Sequence, residues 1–332
     1  MIPNTYTLTL LVLLFSIVCL GSWASTQKAA GTWRFELYYF DFAVGAMLMA
    51  LLLALTFGTF SDNLTFEDNL TISGKRQMAI AFAAGAIFNL GNMLLVAASA
   101  IAGLSVAFPI AMGLALVVTS TVGYFSNSQS NPALLFGGIA MILGAVIADA
   151  LAHRRHTIET AVTKKHGGGM KGILLSLFGG LVLSAFPPVL ASSRSGDIGL
   201  GVYAATVFFT LGIFASSFLY SLYFMNLPVQ GDALSFKQYV KGTIGQHGWG
   251  FLGGAIWCAG TVANFAAASA AKEVHFGDAT LVVTSGHAAA VLAALLGLLL
   301  GKEFTGASSG VKTLLAAMFL LFCSGVAMIS LA

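Results

Sequence analysis

Long apolar stretches separated by short polar connections dominate the pattern of this chain. Each stretch has the roughly 20 residues that a helix needs to cross the hydrocarbon layer of a bilayer. The strands of a membrane barrel would be about half as long and would alternate polar with apolar residues, which these stretches do not do. The pattern therefore predicts an all-α, polytopic membrane protein. About ten transmembrane helices are predicted, at residues 6–24, 38–58, 77–100, 103–125, 132–152, 171–192, 200–224, 249–271, 278–301 and 311–331.

Composition supports a membrane environment. Charged residues make up 8% of the 332 positions and hydrophobic residues 58%, whereas a soluble domain is about one quarter charged. Lipid must therefore cover most of the surface, and membrane lipid is an expected partner. The net charge of +3 is small and the basic residues lie in short connections, so no nucleic-acid partner is expected. Cys19, Cys258 and Cys323 lie in apolar runs without metal-ligand or redox spacing, so we expect neither a metal nor a cofactor.

A basic connection at residues 153–170 divides the predicted helices into five and five. We interpret residues 1–152 and 171–332 as two repeats joined by a linker at 153–170. Aligned without gaps, Ala86-Ile87-Phe88 falls on Ala255-Ile256-Trp257, and Gly91 falls on Gly260. An odd number of helices inverts the second repeat in the membrane. This arrangement is typical of secondary carriers, whose solute site lies between the halves near the midplane.

The distribution of Lys and Arg predicts the orientation. Of the 15 such residues, eleven lie in the odd-numbered connections and four in the even-numbered ones. Because cytoplasmic connections carry the excess of basic residues, both termini are predicted to lie outside and the 153–170 linker in the cytoplasm. The expected location is the plasma or inner membrane.

Polar side chains inside the apolar stretches are the candidates for solute binding, since a polar group at membrane depth needs a partner or a wet cavity. Asn89 and Asn92 are three residues apart and share a helix face. An amide both donates and accepts hydrogen bonds, which suits a polar, uncharged solute, and an indole offers a flat face to a ring. Alternatively, the amides only join neighbouring helices. The predicted solute-binding residues are Trp23, Asn89, Asn92, Thr119, Phe186, Trp257, Thr261 and Asn264, of which the last three form a stripe on helix 249–271.

Two titratable residues are candidates for proton coupling. His287 lies about ten residues into helix 278–301 and can titrate near neutrality, although a neutral buried His bonded to a neighbour fits equally well. Asp41 begins helix 38–58 and is either a proton site or an interfacial cap. Asp149, at the end of helix 132–152, is expected to be an interfacial cap, with a proton site as the alternative.

Motifs of other protein classes are absent from the sequence. There is no Walker loop, so an ATP-driven pump is disfavoured, and neither HExxH nor GxSxG is present. A channel would need a repeated filter-like segment, which the sequence does not contain. We therefore expect no enzymatic activity, and a membrane-embedded enzyme is the rival hypothesis from another class.

Short motifs along most of the chain resemble one known family, the ureide permeases of plants and their prokaryotic relatives within the drug/metabolite transporter superfamily. The motifs are Leu20-Gly21-Ser22-Trp23, Tyr39-Phe40-Asp41-Phe42, Thr56-Phe57-Gly58, Leu90-Gly91-Asn92, Gly103-Leu104-Ser105, Gly123-Tyr124-Phe125, Ser184-Ala185-Phe186-Pro187, Leu227-Pro228, Gly248-Trp249 and Gly260. The resemblance implies ten helices, an outside amino terminus and uptake of neutral nitrogen-rich heterocycles such as allantoin or uracil, together with protons.

The sequence departs from that family's pattern in two places. Thr261 follows Gly260 where the family leads us to expect Asn, and the central connection is short. Prokaryotic neighbours of the family include sugar porters, so a sugar is the alternative substrate. The resulting hypothesis is a secondary transporter that carries a small-molecule solute with a proton or another coupling ion. A homodimer is left open.

Overall fold

The structure, a computed structural model, describes residues 2–60, 65–126, 130–161, 169–271, 274 and 286–332. Every regular element in these ranges is an α-helix. In chain order they are α1 (Tyr6–Ser22), α2 (Ser25–Ala29), α3 (Phe35–Leu55), α4 (Phe66–Ile72), α5 (Lys75–Ala102), α6 (Leu104–Ser126), α7 (Pro132–Ala161), α8 (Gly169–Leu183), α9 (Phe186–Ser193), α10 (Val202–Asn226), α11 (Phe236–Val240), α12 (Ile244–Ala270), α13 (Ala289–Leu299) and α14 (Ser309–Ser330).

Within the described residues, eight segments are long and apolar enough to cross a membrane. They are α3, α5, α6, α7, the pair α8 and α9 together, α10, α12 and α14. Two shorter apolar helices, α1 and α13, correspond to the first and ninth predicted spans. The prediction of an all-α, multi-pass membrane protein is confirmed. Residues 278–285 of the ninth predicted helix lie outside the described ranges, so the count of ten stays a prediction.

Backbone chemistry explains two of the helix boundaries. Gly103 separates α5 from α6 with a φ of 93°, a conformation that a residue with a Cβ adopts only with strain. The predicted helix 171–192 is divided into α8 and α9. Pro187 and Pro188 lie in the first turn of α9, where a missing backbone N–H costs no helical hydrogen bond.

Helix α7 continues well past the predicted end at residue 152 and reaches Ala161. Residues 153–161, expected to belong to the linker, are therefore helical. Arg155 and Glu159 form an i,i+4 ion pair of 3.2 Å on this extension, the spacing that supports a helix. The expectation that Asp149 caps the end of a helix is consequently wrong, because three further turns follow it.

The chain forms two compact units. The first consists of Met1–Leu90 and Ala185–Val283, and the second of Gly91–Ser184 and Thr284–Ala332, so each combines segments from both predicted repeats. The repeat itself is a relation between sequences and stays a prediction.

Glycines allow close helix packing in the first unit. A Cβ on Gly45 of α3 would overlap the carbonyl oxygen of Phe251 in α12, and a Cβ on Gly254 of α12 would overlap that of Phe42 in α3. Helices α5 and α10 repeat this reciprocal contact through Gly85 and Gly212. Small residues at such crossings let membrane helices approach until their backbones touch.

The second unit packs α7 closely against α14 and α6. Gly138 and Gly325 face each other across α7 and α14, since a Cβ on either would lie 2.9 Å from the carbonyl oxygen of the other. Ile142 and Phe322 are fully buried beside this crossing. The unit therefore contains a tightly packed apolar core.

Candidate functional site

A cluster of aromatic rings lies at the centre of the first unit. The indole of Trp257, on α12, stacks on the ring of Phe88, on α5, with centroids 4.9 Å apart and planes inclined by 28°. Phe209, on α10, lies nearly parallel to the same indole at 6.3 Å. Gly85 and Gly212 bring α5 and α10 into close contact, which places Phe88 and Phe209 near each other. Stacked and edge-on contacts of this kind stabilise a cluster beyond the burial of its area.

Two further aromatic residues nominated from the sequence join this cluster. Trp23 contacts Phe42 at 5.0 Å, and Phe42 contacts Trp257 at 5.7 Å. Phe186, at the start of α9, packs edge-on against Phe88 at 5.1 Å. Three predicted solute-binding residues, Trp23, Phe186 and Trp257, are thus connected through phenylalanines. Those phenylalanines are not among the solute-binding residues predicted from the sequence.

The three residues of the predicted polar stripe lie on α12. Trp257, Thr261 and Asn264 are all buried there. The Thr261 hydroxyl donates to the carbonyl oxygen of Trp257 at 2.9 Å, so its hydrogen is used within its own helix and its oxygen remains an acceptor. The stripe therefore combines an indole face with an acceptor and an amide.

Asn89 is fully buried on α5, and its amide nitrogen is fixed to α10. It donates to Ser216 Oγ at 2.7 Å and lies 3.1 Å from both Ile213 O and Ser217 Oγ. Within the described part of the chain, the Asn89 carbonyl oxygen is buried with no hydrogen-bond partner. This amide joins two helices and also keeps a buried acceptor, so both interpretations made from the sequence have support.

Three nominated residues lie in the second unit. Asn92 is buried on α5, and it is not without a partner there. Thr119 is half-buried on α6, and His287 is half-buried immediately before the N-cap of α13. The carbonyl oxygen of His287 accepts the backbone N–H of Ala290 at 3.0 Å. Although Asn89 and Asn92 share a helix, they belong to different units.

Asp41 lies in the first unit, on α3, with two partners that the sequence did not indicate. The Tyr239 hydroxyl donates to Asp41 Oδ1 at 2.7 Å, and His247 Nδ1 lies 3.0 Å from both carboxylate oxygens. Burial, followed by the hydrogen bond to Asp41, raises the pKa of Tyr239 above its ordinary value. The phenol therefore keeps its proton at neutral pH and acts as the donor. The Asp41 carboxylate is held by a phenol and an imidazole rather than acting as a helix cap.

A further carboxylate missed in the sequence organises the second unit. Glu303 accepts the backbone N–H of Leu104 and that of Ser105, both at 2.8 Å, and the Ser105 hydroxyl also donates to it. These groups form the first turn of α6, where unpaired N–H groups and the helix dipole favour a negative charge. The Gly103-Leu104-Ser105 motif therefore forms the start of α6, which the Glu303 carboxylate caps.

The helices define a multi-pass, α-helical membrane protein that buries polar side chains in both of its units. A sequence model of the ureide permease family matches residues 38–168. Ureide permease 2 of Arabidopsis thaliana is 26% identical over 88% of this chain and 88% of its own length. Ureide permease 1 of the same plant is 25% identical over 96% of this chain and 95% of its own length.

These matches confirm the resemblance to the ureide permeases that was identified from short motifs. The ureide permeases are transporters rather than enzymes. A solved crystal structure superposes with a TM-score of 0.53 at 16% identity, covering 98% of each chain. At that identity the likeness concerns the fold alone.

Proposed function

We propose that the protein is a proton-coupled secondary transporter of a small, polar, uncharged heterocycle of the ureide or nucleobase class. The relatives, which match this chain over most of their length, are named ureide permeases. Their names support the substrate class. The observation that carries the proposal is the stack of Trp257 on Phe88 beside the polar groups of α12. The indole face that Phe88 covers is one on which a flat heterocycle would stack after the Phe88 ring moves aside.

The proposed solute-binding residues are those nominated from the sequence. The indole of Trp257 would stack on the solute ring, with Trp23 and Phe186 at the edge of the same cluster. Amide N–H and carbonyl groups of a ureide need acceptors and donors in return. In the first unit the side chains of Asn89, Thr261 and Asn264 offer them. Asn92 and Thr119, in the second unit, are also proposed to contact the solute during transport.

For coupling, we propose Asp41 and His287 as groups that gain and lose a proton during transport. The support for Asp41 is its contact with the imidazole of His247, because a carboxylate and an imidazole at 3.0 Å can exchange one proton between them. The support for His287 is its half-buried position beside α13. The proposed orientation has both termini outside and the 153–170 connection in the cytoplasm, in the plasma or inner membrane.

The test uses purified protein reconstituted into liposomes with an imposed pH gradient. We expect labelled allantoin or uracil to accumulate above its external concentration, and a protonophore to abolish accumulation while leaving exchange. In detergent, the same compounds should raise the midpoint of thermal unfolding, because a ligand that binds only the folded state stabilises it, and glucose should not. Uptake of glucose alone, or no uptake of either heterocycle, would refute the substrate class.

A further inference from the structure

One acidic side chain in the second unit is buried without a hydrogen-bond partner among the described residues. Asp149, on α7, has no exposed surface. Neither of its carboxylate oxygens has a hydrogen-bond partner in the part of the chain that the structure describes. An ionised carboxylate in such a place would lose its hydration and gain nothing in return, which is strongly unfavourable. Burial without a partner therefore favours the neutral form of the carboxyl group, which keeps its proton.

The surroundings of this part of α7 are apolar. Val146 belongs to a buried cluster with Val106 and Ile110 of α6, and Ala150 and Phe304 pack against that cluster. Helix α6 contains no Lys, Arg, Asp or Glu, and on α8 and α14 the acidic or basic residues are the exposed Lys171 and Lys312. The remaining titratable groups on α7 and its packed neighbours are Tyr124, His153, Arg154, Arg155, His156, Glu159, Glu303 and Cys323. Of these, Arg155 pairs with Glu159, and Glu303 holds the start of α6.

Two histidines share the face of Asp149. His153 and His156 follow it by four and seven residues, so the three side chains form a row along α7. Both histidines are half-buried. The ring of His156 lies 4.9 Å from that of Phe304, and its Nδ1 is buried without a hydrogen-bond partner among the described residues. Beyond Glu159 the helix reaches its end at Ala161.

We propose that Asp149 is a proton-binding site of the second unit and that His153 and His156 carry its proton to the end of α7 facing the 153–170 connection. In the state described here the carboxyl group is neutral. When the site opens, the O–H bond of Asp149 breaks, the proton passes to the neighbouring imidazole and from there to water, and the carboxylate takes up a proton again before it is reburied. The role of this cycle in driving solute rests on the proposed function, whereas the protonated state of Asp149 does not.

The first experiment measures that protonated state directly in the purified, solute-free protein. Infrared spectroscopy at pH 7 should show the carbonyl stretch of a protonated carboxylic acid, because exposed acids are ionised there and Glu36 and Glu303 are held by Arg34 and the α6 turn. The band should lose intensity in Asp149→Asn, shift in Asp149→Glu and stay unchanged in Asp197→Asn, a control at an exposed acid. Asp41→Asn, measured in parallel, identifies any contribution from the other proposed proton site. A wild-type spectrum without the band overturns the proposal, as does a band of full wild-type intensity in Asp149→Asn.

The second experiment separates this site from the identity of the solute. Asp149→Asn should unfold at about the wild-type temperature, since one neutral group replaces another of equal size, and Asp149→Glu gives a second folded variant. In liposomes, Asp149→Asn should lose accumulation in a pH gradient, and His156→Gln should slow it several-fold. Normal accumulation by Asp149→Asn would overturn the coupling role. If no heterocycle is transported by the wild type while the infrared band behaves as described, the proposed substrate fails and the proton site stands.

Discussion

His247 Nδ1 lies 3.0 Å from each carboxylate oxygen of Asp41, a contact that joins α12 to the first turns of α3. The two residues are 206 positions apart in the chain. Tyr239 completes the arrangement by donating to Asp41 from α11. A carboxylate with an imidazole and a phenol as its neighbours can change its protonation without losing every hydrogen bond, which is useful in a coupling group.

Replacement of Asp41 by Asn should uncouple transport. The variant retains a side chain of the same size but cannot bind a proton, so accumulation in a pH gradient should fall to equilibration while solute exchange continues. Tyr239→Phe is the matched control, because it removes one donor and leaves the acid in place. His287→Gln, measured in parallel, tests the other proposed group. If both Asp41→Asn and His287→Gln still concentrate solute and a protonophore has no effect on the wild type, a uniporter is the better description.

Asn92 and Asn89 should respond differently to substitution by Leu. Asn92→Leu should abolish uptake while the protein stays folded, because the proposed loss is an amide hydrogen bond to the solute. Asn89→Leu removes the donor to Ser216 and should cost about 1–3 kcal/mol of stability through the groups left unpaired. Uptake in liposomes and the thermal unfolding midpoint in detergent, both measured on the two variants, distinguish the two roles. Wild-type uptake by Asn92→Leu would show that this amide serves packing only.

Truncation of Trp257 tests the aromatic cluster. Trp257→Ala should lower solute affinity and also destabilise the fold by about 3–5 kcal/mol, since a large buried side chain is removed. Trp257→Phe preserves a flat ring and should keep most of the stability and part of the affinity. Solute titration and thermal unfolding of the two variants report these effects. Equal affinity in wild type and Trp257→Ala would contradict a stacking role.

Two glycines on α12 provide a matched pair for helix packing. A Cβ at Gly254 would overlap the carbonyl oxygen of Phe42, whereas one at Gly248 meets nothing within 4 Å. Gly254→Ala should therefore destabilise the protein by about 1–3 kcal/mol through overpacking. Gly248→Ala should be neutral or stabilising by up to about 1 kcal/mol because alanine favours the helix. Equal unfolding midpoints for the two variants would argue against a tight crossing of α3 and α12.

The helices and one face of the candidate site could be predicted because they depend on local periodicity. Apolar runs defined the spans, and spacings of four and three placed Trp257, Thr261 and Asn264 on one face. The partners of Asp41 could not be found in this way, because they come from distant segments. The same is true of Glu303, whose contacts with Leu104 and Ser105 span about 200 positions.

The misplacement of Asp149 had a different cause. The prediction ended its helix at residue 152, where hydrophobicity falls, although the following residues contain no glycine or proline before Gly167. The Arg155 and Glu159 pair at i,i+4 was the available sign that the helix continues. Hydrophobicity reports where lipid ends, and a helix can extend beyond that point because polar residues are compatible with it.

The final prediction concerns orientation. Thr160 lies exposed near the end of α7, within the basic segment at 153–170. Lys75 lies exposed at the start of α5, in the connection predicted to face outward. In a variant that lacks the native cysteines, Thr160→Cys should react with a membrane-impermeant thiol reagent only after the cells are permeabilised. Lys75→Cys should react in intact cells, which controls for expression and for reagent quality. The physical reason is the excess of basic residues in the odd-numbered connections, which are retained on the cytoplasmic side. Labelling of Thr160→Cys in intact cells would reverse the proposed orientation and place both termini in the cytoplasm.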